Sequence, residues 1–299
     1  MTPESPSDLE NLLRTTGYLA DDGLATVAWL ALRMQRPLLL EGEPGTGKTA
    51  LAEALATALG ARLIRLQCYE GIDASQALYD WDFPRQVLHL RALEAAARAG
   101  DDALPAPGID LTSVEADLFD ERFLLDRPVL RALRTNPAVL LIDEVDRADD
   151  EFEAFLLEVL STWSVTIPEL GTVTAERPPL VVLTSNRTRE VHDALKRRCL
   201  YHWLEHPGLE REVQILRTRL PGIRQELAEQ VARAVSALRE EQLIKPPGVA
   251  ESLDWASALQ TLGAPGLDVE TAAVTLGAVV KYREDAERVA ADLERLLAG

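Results

Sequence analysis

Between Gly42 and Thr49 the chain reads Gly-Glu-Pro-Gly-Thr-Gly-Lys-Thr, residue types at a spacing that suits a polyanion. Glycines at 42, 45 and 47 let a backbone curl with its N–H groups inward and no Cβ in the way. Lys48 supplies a cation that reaches the β and γ phosphates of a nucleotide, and the Thr49 hydroxyl suits a magnesium ion. A helix opening here adds the positive end of its dipole. The candidate nucleotide-binding set is therefore Gly42, Glu43, Pro44, Gly45, Thr46, Gly47, Lys48, Thr49 and Ala50.

A second chemical group closes the run Val139-Leu140-Leu141-Ile142-Asp143-Glu144. An apolar strand that ends in two carboxylates delivers them where open α/β sheets bind ligands. Phosphoryl transfer to water needs a held metal and a polarised nucleophile. Asp143 suits the metal, together with Thr49, and Glu144 suits the base that deprotonates the attacking water. Leu180-Val181-Val182-Leu183-Thr184-Ser185-Asn186 ends a third strand on an amide, and Asn186 is the candidate that touches both the γ phosphate and that water. Further along, Asp193-Ala194-Leu195-Lys196-Arg197-Arg198-Cys199 offers arginines for a neighbouring subunit's transition state, with Arg198 the leading candidate and Arg197 the second.

These residues need strands and helices to hold them. The segment Pro37 to Glu41 reads as a buried strand, and Ala50, Leu51, Ala54, Leu55 and Ala58 form an apolar stripe at helical spacing closed by Gly60. Continuous apolar runs at 38–40, 139–142 and 180–183 imply a parallel sheet covered on both faces, and Arg62–Gln67 and Leu200–Leu204 complete five strands. The expected fold class is α/β, a five-stranded parallel sheet flanked by helices, plus a small all-α domain. A length of 299 residues favours two domains. They are placed at 1–205 and 206–299, the second built from helices over 209–219, 223–242, 252–261, 269–282 and 284–297. Pro, Gly and Asp collect over 100–113, which reads as a mobile surface loop. Trp163 to Glu176 alternates around a turn at Pro168–Gly171 and suits a β-hairpin.

Composition narrows the partners. A content of 47% hydrophobic and 27% charged residues is that of a soluble globular protein, and no run approaches a membrane span. No signal sequence is legible, so the cytoplasm is the expected location. Cys68 and Cys199 read as core thiols, and the four histidines lack zinc-ligand spacing. A net charge of −18 argues against nucleic acid and for protein partners.

The order of these motifs resembles the AAA+ ATPases, specifically the MoxR family, from about Tyr18 to Leu262. The phrases Arg36-Pro37-Leu38-Leu39-Leu40-Glu41-Gly42, Asp143-Glu144-Val145-Asp146-Arg147-Ala148 and Phe155-Leu156-Leu157-Glu158-Val159-Leu160 are similar to that family's. Tyr79 to Gln86 and Glu251 to Ala256 resemble the CoxD-like branch found beside carbon monoxide dehydrogenase maturation proteins. The resemblance implies a P-loop AAA+ core with a helical lid, ATP and Mg2+, and a homo-hexameric ring with nucleotide between subunits. It implies a chaperone that remodels a protein client or helps insert a metal cofactor, partnered by a von Willebrand factor A domain protein. It also implies an arginine on the lid where this chain has Leu253-Asp254-Trp255, so Trp255 is expected to pack the lid instead. That departure motivates an alternative, an ATP-gated assembly scaffold with little turnover. Trp81 and Phe83, where no core periodicity demands aromatics, and Tyr18 to Ala20, beside the expected base site, are further candidates for contact.

Overall fold

The computed structural model describes residues 3–99 and 118–298. The loop expected over 100–113 lies outside the described residues. The strands are β1 (Leu38–Gly42), β2 (Arg62–Gln67), β3 (Tyr79–Trp81), β4 (Leu124–Asp126), β5 (Ala138–Asp143), β6 (Ser164–Ile167), β7 (Gly171–Thr174), β8 (Leu180–Ser185) and β9 (Leu200–Leu204). Five of them form one parallel sheet in the order β2-β5-β8-β1-β9.

The unbroken apolar runs are explained by the two cores they feed. Leu39, Leu140, Ile142, Val181 and Leu183 face a core closed by helices Pro128–Arg134 and Asp150–Thr162. Their neighbours Leu38, Leu40, Val139, Leu141 and Val182 face the opposite core, closed by helices Pro6–Thr15, Asp22–Met34 and Lys48–Leu59. Side chains alternate across a strand, so a strand covered on both faces must be apolar at every position. Cys68 and Cys199 are buried free thiols in the first of these cores.

Two small antiparallel pairs lie outside the sheet. β6 and β7 form the hairpin legible at 163–176. β3 and β4 pair at the edge of an insertion that also carries helix Phe83–Ala99, which the sequence pattern did not reveal. Trp81 packs edge-on against Tyr79 and Phe119 and leans on the first core, whereas Phe83 stays 60% exposed.

From Leu209 onward the chain is helical around a third core that includes Leu216, Val231, Val235, Leu259 and Val289. Trp255 sits in this core, 1% exposed, and its indole N–H donates to Thr275 Oγ1 at 2.8 Å. Two helices are shorter than the periodicity implies. The one expected over 269–282 ends at Thr275 and passes into a 3-10 turn containing Gly277, a poor helix former. The one expected over 284–297 is broken at Asp292 into Arg283–Ala291 and Leu293–Ala298. Among the described residues no helix is long and apolar enough to cross a membrane.

Candidate functional site

β1 ends at Gly42, and the loop after it enters helix Lys48–Leu59 through Gly47. The glycines of this loop answer to different neighbours. A Cβ on Gly42 would fall 2.3 Å from the Leu204 carbonyl oxygen, so β9 rather than phosphate forbids a side chain there. A Cβ on Gly45 would fall 2.8 Å from Gly248 Cα, at the start of helix Val249–Thr261. The Val249 N–H donates to the Gly45 carbonyl at 2.9 Å, so the helical region rests directly on the loop.

Lys48 is folded back against this loop, its ammonium donating to the carbonyls of Gly42 at 2.8 Å and Glu43 at 2.7 Å. Burial lowers its pKa to about 8, against the pull of the Asp146, Asp143 and Glu144 carboxylates. The Glu43 carboxylate faces outward and pairs with His206 Nε2 at 3.1 Å. Burial, with the Arg239 charge, pushes His206 below the ordinary histidine value.

The acids at the end of β5 stand beside the loop. Thr49 Oγ1 donates to Asp143 Oδ1 at 3.1 Å. Asp143 is 4% exposed and also accepts from Thr184 Oγ1 and from the Arg65 guanidinium, each at 2.5 Å. Glu144 adopts left-handed backbone, φ 55° and ψ 52°, a costly conformation for a residue with a side chain. That turn holds its carboxylate against Asn186 Nδ2 at 3.3 Å, Gln67 Nε2 at 3.1 Å and Arg147 Nη1 at 3.2 Å. The Glu144 N–H in turn donates to Thr184 Oγ1 at 2.9 Å. Asp146, 2% exposed, fixes the loop beyond Asn186 by accepting from the Thr188 N–H and Oγ1.

Pro44 to Ala50, Asp143, Glu144 and Asn186 thus share one cleft of about 770 Å³. Gly42 and Glu43 lie behind it, and act through the carbonyls that hold Lys48. Tyr18 and Leu19 also line it, with Asp21, Arg211 and Leu253. Tyr18 donates to the Gly47 carbonyl at 3.4 Å, and burial raises its pKa. Ala20 is not among the lining residues, and Leu253 occupies the helical wall where the resemblance implies an arginine. Arg197 and Arg198 are exposed and lie outside the cleft.

The sequence reading missed Arg65, Gln67 and Arg147, and it treated Thr184 only as part of a strand. One signal was available on β2, where Ile64 and Leu66 alternate with Arg65 and Gln67. The long-range pairing that puts Gln67 opposite Asp143 was not.

Similar proteins share parts of this chain. Over 48 residues it is 52% identical to Midasin of Giardia intestinalis, a match that spans 16% of this chain and 1% of that protein. The Thermotoga maritima RuvB Holliday junction branch migration motor superposes with a TM-score of 0.48 at 15% identity, over 98% of this chain and 80% of the motor. A mutant of that motor gives a TM-score of 0.49 at the same identity and coverage. The family model described as AAA domain (dynein-related subfamily) matches residues 37–199, from the entry of β1 through the acids, Asn186 and both arginines; this is more than half the chain, which belongs to that family.

Proposed function

We propose that the chain is a Mg2+-dependent ATP hydrolase of the MoxR type, close to the CoxD-like branch, whose nucleotide cycle remodels or matures a protein client, metal-cofactor insertion into an enzyme included. One observation carries the reading. Lys48 and Thr49 of the loop meet Asp143, Glu144 and Asn186, which come from two adjacent parallel strands, in a single cleft.

Hard oxygen donors suit Mg2+, which takes one or two protein ligands and fills its octahedron with water and phosphate oxygens. The Thr49 hydroxyl and the Asp143 carboxylate, already in hydrogen-bond contact, are that kind of pair. When bound, the ion neutralises charge on the transferring phosphoryl group. The chain's own residues do the rest. Lys48 leaves the loop carbonyls for the phosphates, and the inward N–H groups of residues 45–49 cradle them. Glu144 accepts the proton of the attacking water as its oxygen bonds to the γ phosphorus and the bond to ADP breaks. Asn186 and Gln67, both donating to Glu144, keep its carboxylate aimed. Arg198 and Arg197 serve the site of the next subunit in a homo-hexamer, acting in the cytoplasm with a von Willebrand factor A domain partner. The acidic balance of −18 supports a protein client over nucleic acid.

The test is Glu144→Gln. It retains ATP binding while turnover falls by a factor of about 100 or more, the usual weight of a general base; unchanged turnover removes Glu144 from its role. A second reading, an ATP-gated scaffold, is favoured by Leu253, whose apolar side chain offers no charge to a γ phosphate. Single-turnover hydrolysis with and without the partner protein separates the two, because a scaffold stays slow in both.

A further inference from the structure

Helix Asp193–Arg198 carries both arginines yet is only six residues long, too short to hold itself together in water. It is tied at both ends. At its start, His192 Nδ1 accepts from the Ala194 N–H at 3.2 Å, and the His192 N–H donates to Glu153 Oε2 at 2.7 Å. At its end, the carbonyls that lack helical partners meet a guanidinium from the opposite side of the domain. Arg36 Nη2 donates to the Arg197 carbonyl at 2.7 Å and to that of Cys199 at 3.4 Å, and Arg36 Nε donates to the Arg198 carbonyl at 3.1 Å.

The backbone aims Arg36 at this target. Gln35 ends helix Asp22–Met34 in left-handed conformation, φ 52° and ψ 40°, and two residues on the Pro37 carbonyl accepts from the Leu200 N–H at 2.8 Å. Residues 36 and 37 therefore grip the segment 197–200 from both sides of one junction. A cation at the negative end of a helix adds electrostatic support, and the planar fork matches several acceptors where an ammonium matches one. The backbone of Arg197 and Arg198 is thereby fixed. Their side chains remain exposed and, among the described residues, without a partner.

We propose that Arg36 is a positioning residue for hydrolysis in the neighbouring subunit: it locks the last turn of helix Asp193–Arg198 so that Arg197 and Arg198 project at a fixed angle. This inference rests on the assignment of those arginines to an adjacent site.

Mixed assemblies test it. A Glu144→Gln subunit has little turnover of its own but keeps its arginines, and an Arg197→Ala/Arg198→Ala subunit keeps its base but has no arginine to give. Mixing the two restores hydrolysis if arginines act across the interface. Adding Arg36→Ala to the Glu144→Gln donor is expected to cut the restored rate at least tenfold. The same change in the acceptor leaves it within twofold. Melting temperature and nucleotide binding of each subunit alone verify the fold, and Arg36→Lys, which keeps the charge but not the fork, is read the same way if Arg36→Ala does not fold. A donor that rescues fully without Arg36, or equal loss from either subunit, overturns the proposal. Absence of rescue by the parent donor instead overturns the role of the arginines in trans, and the proposal with it.

Discussion

A lysine at the heart of a phosphate site is usually treated as a fixed positive charge, but burial brings Lys48 to about pH 8. Phosphate oxygens favour the ammonium, so binding raises that value and the sign of the pH effect follows. Below about 8 the loop is already charged. Above it the free protein carries a neutral amine and must take up a proton to bind, so affinity weakens toward tenfold per pH unit. Calorimetric titration of the magnesium–nucleotide complex at pH 7 and pH 9, in buffers of different ionisation enthalpy, is expected to show proton uptake only at the higher pH. Unfolding stability responds to the same shift. The folded value lies below the unfolded one, so this group disfavours the fold while charged, and the penalty is relieved as pH rises from about 8 toward the ordinary lysine value of 10.5. Thr184 makes a second prediction at this scale. Its hydroxyl, 1% exposed, donates to Asp143 and accepts from the Glu144 N–H, and Thr184→Val leaves both without that partner. Thermal unfolding is expected to report a loss of about 1–3 kcal/mol, with turnover reduced further because both acids lose their anchor.

Between elements, the contact that matters is backbone on backbone. Gly45 of the phosphate loop and Gly248 at the entry of helix Val249–Thr261 approach so closely that a Cβ on Gly248 would lie 2.6 Å from Gly45 Cα. Gly248 has φ −84°, a conformation open to alanine, so Gly248→Ala tests the close approach rather than backbone strain. The helical region is expected to shift off the loop, break the Val249–Gly45 hydrogen bond, cost about 1–3 kcal/mol and weaken nucleotide binding, whereas Gly277→Ala, with open space around it, leaves binding unchanged. This interface shows where legibility in the sequence ended. The strands at 38–42, 138–143 and 180–185 were visible because burial on both faces demands unbroken apolar runs. The hairpin was visible through its alternation and turn residues. β3 and β4, three residues each, are too short to show a period, and the docking of Gly248 on Gly45 joins glycines whose local sequence says only that the chain turns. The same limit hid Arg65 and Gln67, whose roles depend on β2 lying beside β5 rather than on anything within β2.

Over the whole molecule, the third core around Trp255 and Val235 is built without the sheet, and the helical region it holds together rests on the phosphate loop and walls the cleft. A buried ion pair stiffens it: Arg239 forks onto Glu212 at 2.6 and 2.8 Å, and Ser252 Oγ donates to the same carboxylate at 2.6 Å. The cleft then has protein on two sides, the loop with its acids and the helical wall, yet no described cation but Lys48, Arg65, Arg211 and Arg219 lines it. Arg65 and Arg211 are already committed to Asp143 and Asp21. Among the described residues Arg219 alone of the three arginines lines the cleft without an ion pair, and under the proposed assembly exposed Arg197 and Arg198 of another copy supply the guanidinium that meets charge developing beside the acids. Hydrolysis per subunit is accordingly expected to rise with protein concentration as subunits assemble, by at least about tenfold given what such an arginine contributes elsewhere. Arg198→Ala is expected to abolish that rise without changing nucleotide affinity at low concentration, measured by steady-state turnover across a dilution series alongside sedimentation. A variant that assembles and still gains activity would assign the role to Arg197, whose own substitution must then flatten the curve.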